Sequence, residues 1–469
     1  MSSPGENERV AAATPPTTPA TQPTAHLGVD DYALARVPLT ERYSWWTVAV
    51  QRFGQVSALS QFLLGSTVGF SMTFWGAFWA FTLGSVVLEL VSIGVGIIGA
   101  REGLQISVLS RWTGFGQGGS AVIGVAVGIS LMGWFGVQSG VSAEGLVSLV
   151  GVLPAWAWSL VFGLAVTLIV IWGFASMKWV AYVTVPAFLV LVAWSIGREL
   201  LGHQVGALIA SAPPGPPMSL LQGTTLVAGG FIVGAVITPD MTRFNRSSAD
   251  VVKQTVLGFT VGEYLIGLSG VLLAHAVRSD DVIAIVTSSV GWVGTLVIIL
   301  GTLKINDWNL YSSGLGVVNF VSTVFGRQVN RGVVTLLLGV LGSLLAAGGI
   351  LAKFTGFLIL LGVSFPPIAG IMIAEYFVVK QWRPELESSR AAGELPPTAP
   401  TWVPATLLIW LAAALIGGLL AWGLPSINSL LAGFLLYVAA GRLGWIRGIG
   451  TSHTPRPAAA TPTPAAVPD

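Results

Sequence analysis

From about residue 47 to residue 444 the chain is a succession of apolar runs, several longer than 20 residues. Roughly 20 apolar residues carry a helix across a bilayer core. Backbone polar groups find no water there, so such runs are satisfied only as helices or as a closed barrel. Their length and lack of alternation select helices. Charged residues make up 9% of the sequence and hydrophobic residues 53%. A soluble domain carries about 25% charged residues, so this chain could not cover a water-facing surface. The net charge of +2 carries no signal for nucleic acid. Cysteine is absent, which removes disulfides, thiol nucleophiles, zinc–thiolate sites and cysteine-ligated clusters. The two ends differ from the middle. Residues 1–40 and 451–469 are rich in Pro, Thr and Ala without apolar periodicity, and read as disordered tails. The first apolar segment starts too late and runs too long for a cleavable signal peptide.

Twelve spanning segments are expected: 47–72, 76–99, 118–143, 148–173, 178–200, 220–239, 252–277, 288–320, 332–350, 354–379, 403–422 and 427–444. The eighth exceeds one bilayer crossing and must contain a turn or an interfacial stretch. With a cytoplasmic N-terminus, eighteen Lys and Arg residues fall on the inner side and three (Arg198, Arg278 and Lys353) on the outer, with Lys304 inside a helix. That bias predicts both termini in the cytoplasm.

Two segments contain clustered glycine, which weakens a helix. One is Gly65-Ser66-Thr67-Val68-Gly69-Phe70, and the other runs from Gly229 and Gly230 to Gly234, ending at Thr238-Pro239-Asp240. Corresponding interruptions in two halves point to a transporter's binding site. The other reading is close helix packing, for which glycine is equally suited in lipid. Charge inside the membrane is costly and marks function by default. The candidates are Glu89, Glu263, Lys304 and Asp307, with Glu375 nearer the interface. Lys304 and Asp307 lie three residues apart on one helix face, beside Asn306 and Asn309, so that face borders a polar cavity or holds a structural ion pair. Trp134 and Gln138 lie one turn apart on the third segment, where an aromatic plate beside an amide suits a flat, hydrogen-bonding ligand or simple packing. The histidines His26, His203, His275 and His453 are scattered and form no metal-ligand spacing, which argues against an enzyme and leaves no resident cofactor or metal to expect.

These residues resemble the nucleobase–cation symporters, in particular the cytosine permease and purine–cytosine permease branch. The resemblance spans about residues 40–440 and rests on Gly133-Trp134-Phe135-Gly136-Val137, on Gly230-Phe231-Ile232 through Thr238-Pro239-Asp240-Met241-Thr242-Arg243-Phe244, on Asn306-Asp307-Trp308-Asn309 through Gly316, and on Phe365-Pro366-Pro367-Ile368-Ala369-Gly370. It implies an all-α membrane fold of two inverted five-helix repeats (LeuT-like), here 41–200 and 220–380, plus two C-terminal helices in 403–444. It implies a secondary active importer in the cell membrane that carries a small nucleobase, with no obligate protein partner and no nucleic acid. The base would stack between Trp134 and Phe231, read by Gln138, by the backbone at Gly229 and Gly230, and by Asn306 and Asn309. A base offers two π faces and an edge of donors and acceptors, which is what rings and amides bind.

Relatives couple to Na+ or H+. The resemblance places a sodium site at the unwound first helix, around Gly65 to Gly69, and at hydroxyls of the eighth. This sequence has Lys304 and Ile305 where relatives often have Ser or Thr. An ammonium there repels a cation, so Lys304, with Asp307 or Glu263 as partner, is expected to stand in for sodium and favour H+ coupling. Pro366 and Pro367 would bend the tenth helix as a gate. Alternating access would rock helices 1, 2, 6 and 7 against 3, 4, 8 and 9. The competing reading is another small solute on the same scaffold: a thiamine-precursor pyrimidine, an allantoin-like compound or an amino acid.

Overall fold

The computed structural model describes residues 34–171 and 204–454, with Tyr32 and isolated positions between 186 and 202. The expected fifth segment lies almost wholly outside the described residues, as do most of the two tails. The described chain is helical, apart from one two-stranded ribbon.

In chain order the main helices are α1 (Trp45–Val56), α2 (Leu59–Ser71), α3 (Phe74–Glu102), α4 (Gly116–Val150), α5 (Ala155–Ile171) and α6 (Leu220–Val236). They continue with α7 (Ser248–Val277), α8 (Val282–Val290), α9 (Trp292–Phe325), α10 (Arg331–Ala347), α11 (Leu351–Val379), α12 (Pro404–Leu419) and α13 (Pro425–Arg442). Among the described residues α3, α4, α7 and α11 are long and apolar enough to cross a membrane; α5, α6, α10 and α12 are shorter apolar helices. The starts follow from local chemistry. The Thr73 side chain accepts the Gly76 N–H at 3.1 Å, and Ser219 with Gln222 forms a reciprocal capping box. The α3 helix ends at Gly103, whose φ of 66° suits glycine.

The over-long eighth segment has its turn at the start rather than inside. A short helix, α8, turns at Gly291 into α9, which runs unbroken for 34 residues. Two corrections concern the glycine stretches. Gly65 and Gly69 lie inside α2, which is continuous; the first segment breaks instead at Ser57 and Ala58, between α1 and α2. Gly229, Gly230 and Gly234 lie inside α6, which breaks only after Val236, at Ile237 and Thr238. The glycines are packing positions. A Cβ at Gly69 would stand 2.5 Å from the Val271 Cα, and one at Gly229 would stand 2.8 Å from the Leu358 carbonyl carbon. Close backbone approach is what small residues supply where lipid gives no hydrophobic drive to helix association.

The helices pack as two groups. One contains α1, α2, α3, α6 and α7; the other contains α4, α5, α9 and α10. These are the two sets expected to rock against each other. The α11 helix touches α6, α4, α12 and α13. It changes course at Phe365, where Pro366 and Pro367 begin a new helical stretch.

The tails need a further correction. Residues 34–40 are not loose. Arg36 is buried and pairs with Glu102 at the end of α3 at 2.7 Å, and Val37 is fully packed. Residues Ile449–His453 form β2, antiparallel to β1 (Thr398–Trp402), with Thr398 opposite His453. The Trp112 indole N–H donates to the Thr398 carbonyl at 2.9 Å, holding the ribbon against the start of α4. Hydrogen bonds and one ion pair anchor these stretches where composition gave no apolar pattern.

Candidate functional site

Trp134 sits in the middle of α4, buried, with its ring edge-on to Phe354 and Phe357 of α11 at 5.9 and 5.4 Å. One turn further along α4, Gln138 is buried and its Oε1 has no hydrogen-bond partner. An unmet buried carbonyl of this kind costs about 1–3 kcal/mol unless a ligand or water meets it. Opposite, α9 presents its amides to the same helix. The Asn306 amide donates to the Phe135 carbonyl at 3.1 Å and to Ser139 Oγ at 3.0 Å. Asn309 donates to Asn306 Oδ1 at 3.4 Å. Trp134 thus faces α11, while Asn306, with Asn309 bonded to it, meets the neighbouring Phe135–Ser139 face of α4.

Phe231 belongs to the other group. It is half-buried and meets Phe259 of α7 edge-on at 5.5 Å. The Arg52 guanidinium lies 5.2 Å from the centre of the Phe259 ring. Gly230 packs on Leu64, and both Gly229 and Gly230 keep their backbone within a regular helix, so the expected free backbone is not there.

The charged candidates separate into two pairs. Lys304 Nζ stands 3.0 and 3.3 Å from the two Asp307 oxygens, on one face of α9 as the spacing predicts. Glu263 is instead bonded by the Gln61 side-chain amide of α2, and its other oxygen is buried without a partner. Glu263 opens a π-helical turn (Glu263–Gly267), which adds a residue to the helix there. It is therefore not the partner of Lys304. Glu89 accepts a hydrogen bond from Thr260 at 2.8 Å.

Three residues were missed from sequence. Gln61 and Ser57 flank the real helix break, and the Ser57 hydroxyl is buried and unpartnered. Arg52 is fully buried and donates to Thr238 Oγ1 at 3.0 Å, at the other break. A lone Gln and a lone Arg in an apolar run are the available signals.

A cavity of about 330 Å³ opens on the face opposite the two tails, lined by Leu63 and Thr67 of α2, Val141 and Glu144 of α4, Asp281, and Phe354. Phe354 in its lining is also one of the rings packed on Trp134. Among the site residues themselves, an indole and an unmet amide carbonyl one turn apart on α4 can meet a small planar molecule by ring contact and a hydrogen bond. Among the described residues no cluster of three His, Asp or Glu is placed to hold a metal ion.

Residues 37–427 match the family described as permease for cytosine/purines, uracil, thiamine, allantoin. The chain is 25% identical over 412 residues to the cytosine permease of Escherichia coli K12, covering 87% of this chain and 94% of that one. It is 23% identical over 393 residues to the hydantoin permease of Microbacterium maritypicum, covering 78% and 76% respectively. The inward-facing structure of Mhp1 superposes with a TM-score of 0.71 at 19% identity, over 89% of this chain and 97% of that one, which establishes the shared fold. The relatives are transporters rather than enzymes, and with its apolar helices this chain is a multi-pass membrane protein that belongs to the cytosine/purine, uracil, thiamine and allantoin permease family of nucleobase–cation symporters.

Proposed function

We propose that this protein imports a nucleobase, cytosine or a purine-like base, by cation-coupled alternating access, with H+ preferred over Na+. The reading has twelve spans and both tails in the cytoplasm of a cell whose plasma membrane holds the protein. What supports it is α4 itself, which carries an indole and, one turn on, an unmet amide carbonyl, and whose adjoining face meets Asn306 of α9 with Asn309 beside it. The base stacks on Trp134, with Phe231 closing the other face as the two helix groups approach. Gln138, Asn306 and Asn309 read its edge. Gly229 and Gly230 contribute by letting α6 lie close, since a side chain at Gly229 would strike the Leu358 backbone.

H+ coupling is favoured because the Lys304 ammonium is held at 3.0 Å by Asp307 on the helix face where a sodium site needs neutral oxygens. Glu263 and Gln61 form a second buried polar pair that a proton can charge or discharge. Gly65 and Gly69 support coupling only through packing. Pro366 and Pro367 give α11 the bend of a thin gate.

Uptake of radiolabelled cytosine, adenine, hypoxanthine and uracil into cells or vesicles tests the reading, with and without a proton ionophore. Accumulation of one base that collapses with the ionophore and ignores sodium supports it. Sodium-dependent uptake that survives Lys304→Met overturns the coupling assignment. Uptake of a hydantoin or allantoin with no nucleobase competition overturns the substrate assignment.

A further inference from the structure

On the face that carries both tail segments, a cavity of about 690 Å³ opens between the 36–42 stretch, the end of α3, the start of α7 and residues 390–393. Five arginines line it: Arg36, Arg42, Arg101, Arg246 and Arg390. The single carboxylate among the lining residues is Glu102. That carboxylate is already engaged, accepting from Arg36 at 2.7 Å, Arg390 at 2.8 Å and the Tyr376 hydroxyl at 2.5 Å.

Arg42 is the informative member. It is only 8% exposed. Its guanidinium donates to the carbonyls of Val37, Ala100 and Asn245, all neutral acceptors. Its Nη2 has no hydrogen-bond partner among the described residues. Burial holds its pKa below the usual arginine value, as expected of a cation short of a counter-ion. Arg246 spends only its Nε, on the Arg42 carbonyl at 3.1 Å. Ser247 and Ser248, also in the lining, stand at the N-terminus of α7, whose first turn Ser247 caps by accepting the Asp250 N–H at 3.1 Å.

We propose that this cavity binds a phosphate-bearing anion. Planar guanidinium forks match phosphate oxygens in bidentate fashion, and several forks suit a phosphate better than a lone carboxylate. The membrane is the favoured source. Along the segment that borders the cavity, Leu39, Tyr43 and Trp46 are 70%, 50% and 57% exposed. Apolar and aromatic side chains exposed beside a basic pocket are the arrangement expected at a headgroup boundary. A bound phosphate would tie the 36–42 stretch to α3 and α7, adding to the Arg36–Glu102 pair.

Thermal unfolding of the full-length protein in neutral-detergent micelles tests this at constant ionic strength. The micelles are doped with phosphatidylglycerol or with phosphatidylcholine, or inorganic phosphate is added instead. Phosphatidylglycerol is expected to raise the midpoint by about 5 °C over phosphatidylcholine. The exposed-site variant Arg101→Gln/Arg246→Gln should lose that rise, while Arg327→Gln/Arg442→Gln, outside the cavity, should keep it. A rise with inorganic phosphate alone, lost in the same variant, supports a soluble phosphate as the occupant. No rise with either anion, or equal loss in both double variants, overturns the proposal.

Discussion

Arg52 of the first segment donates to the Thr238 hydroxyl of the sixth at 3.0 Å, so one buried side chain joins the two places where these helices break. A further bond from Arg52 reaches the Gly234 carbonyl at 3.4 Å. The same guanidinium lies over Phe259, whose ring meets Phe231. Any rearrangement of the sixth segment that accompanies closure on a base is therefore felt at the first.

Replacing Arg52 by Met should remove uptake while leaving the protein in the membrane, and Lys should restore little of it, because an ammonium cannot serve Thr238, Gly234 and the ring together. Thr238→Val deletes one charge-assisted bond, worth about 1.5–3 kcal/mol. Uptake rates compared at equal surface expression decide the matter. Near-normal transport by Arg52→Met would show that the link is dispensable.

Trp134→Ala should weaken base binding by about ten- to hundredfold, the range for one lost aromatic stacking partner. Gln138→Leu should cost about tenfold and change which bases compete, since it removes an edge contact without removing the plate. Competition binding to the purified protein separates the two. If both variants lose all bases equally, Gln138 is structural.

Lys304→Met is expected to preserve base binding within a few-fold while abolishing accumulation against a gradient, because Asp307 then stands buried without its cation. The Lys304→Met/Asp307→Asn pair should recover stability without recovering accumulation. Counterflow exchange and net uptake measured side by side check this.

Gly69→Val should lower the unfolding midpoint and leave the ion dependence of any remaining transport unchanged, since the added side chain meets the Val271 backbone. Overpacking of this kind costs about 1–3 kcal/mol. Gly54→Ala, with nothing within 4 Å of the new Cβ, should be neutral or slightly stabilising. A changed ion dependence in Gly69→Val would return that glycine to a coupling role.

Glu102→Gln should be the most damaging single change on the tail-bearing face. It strips the counter-charge from Arg36, which is itself held below the usual arginine pKa by burial. Breaking a buried pair by removing one partner costs about 3–5 kcal/mol. Unfolding midpoints of Glu102→Gln and of Glu102→Gln/Arg36→Met give the test, the double variant recovering part of the loss.

The apolar runs and the Lys304–Asp307 face were legible because each is a local pattern of spacing. The break points were not. Glycine content drew attention to Gly65–Gly69 and Gly229–Gly234, yet in lipid those glycines serve contact, and the chain breaks at Ser57–Ala58 and Ile237–Thr238. There the Thr238 hydroxyl meets a side chain from far along the sequence. Docking of residues 34–40 was equally hidden, because Arg36 finds Glu102 and the carbonyls of Leu386 and Glu394 through tertiary structure alone.

The β1–β2 ribbon has one last effect. Its strands lie on either side of α12 and α13 in sequence, so their pairing ties the final helix pair into a closed lariat whose knot rests on the start of α4. Cutting the chain just before Ile449 would untie it. The last two helices would keep their packing on α11 but lose the tie to the start of α4, whose mount would lose a brace.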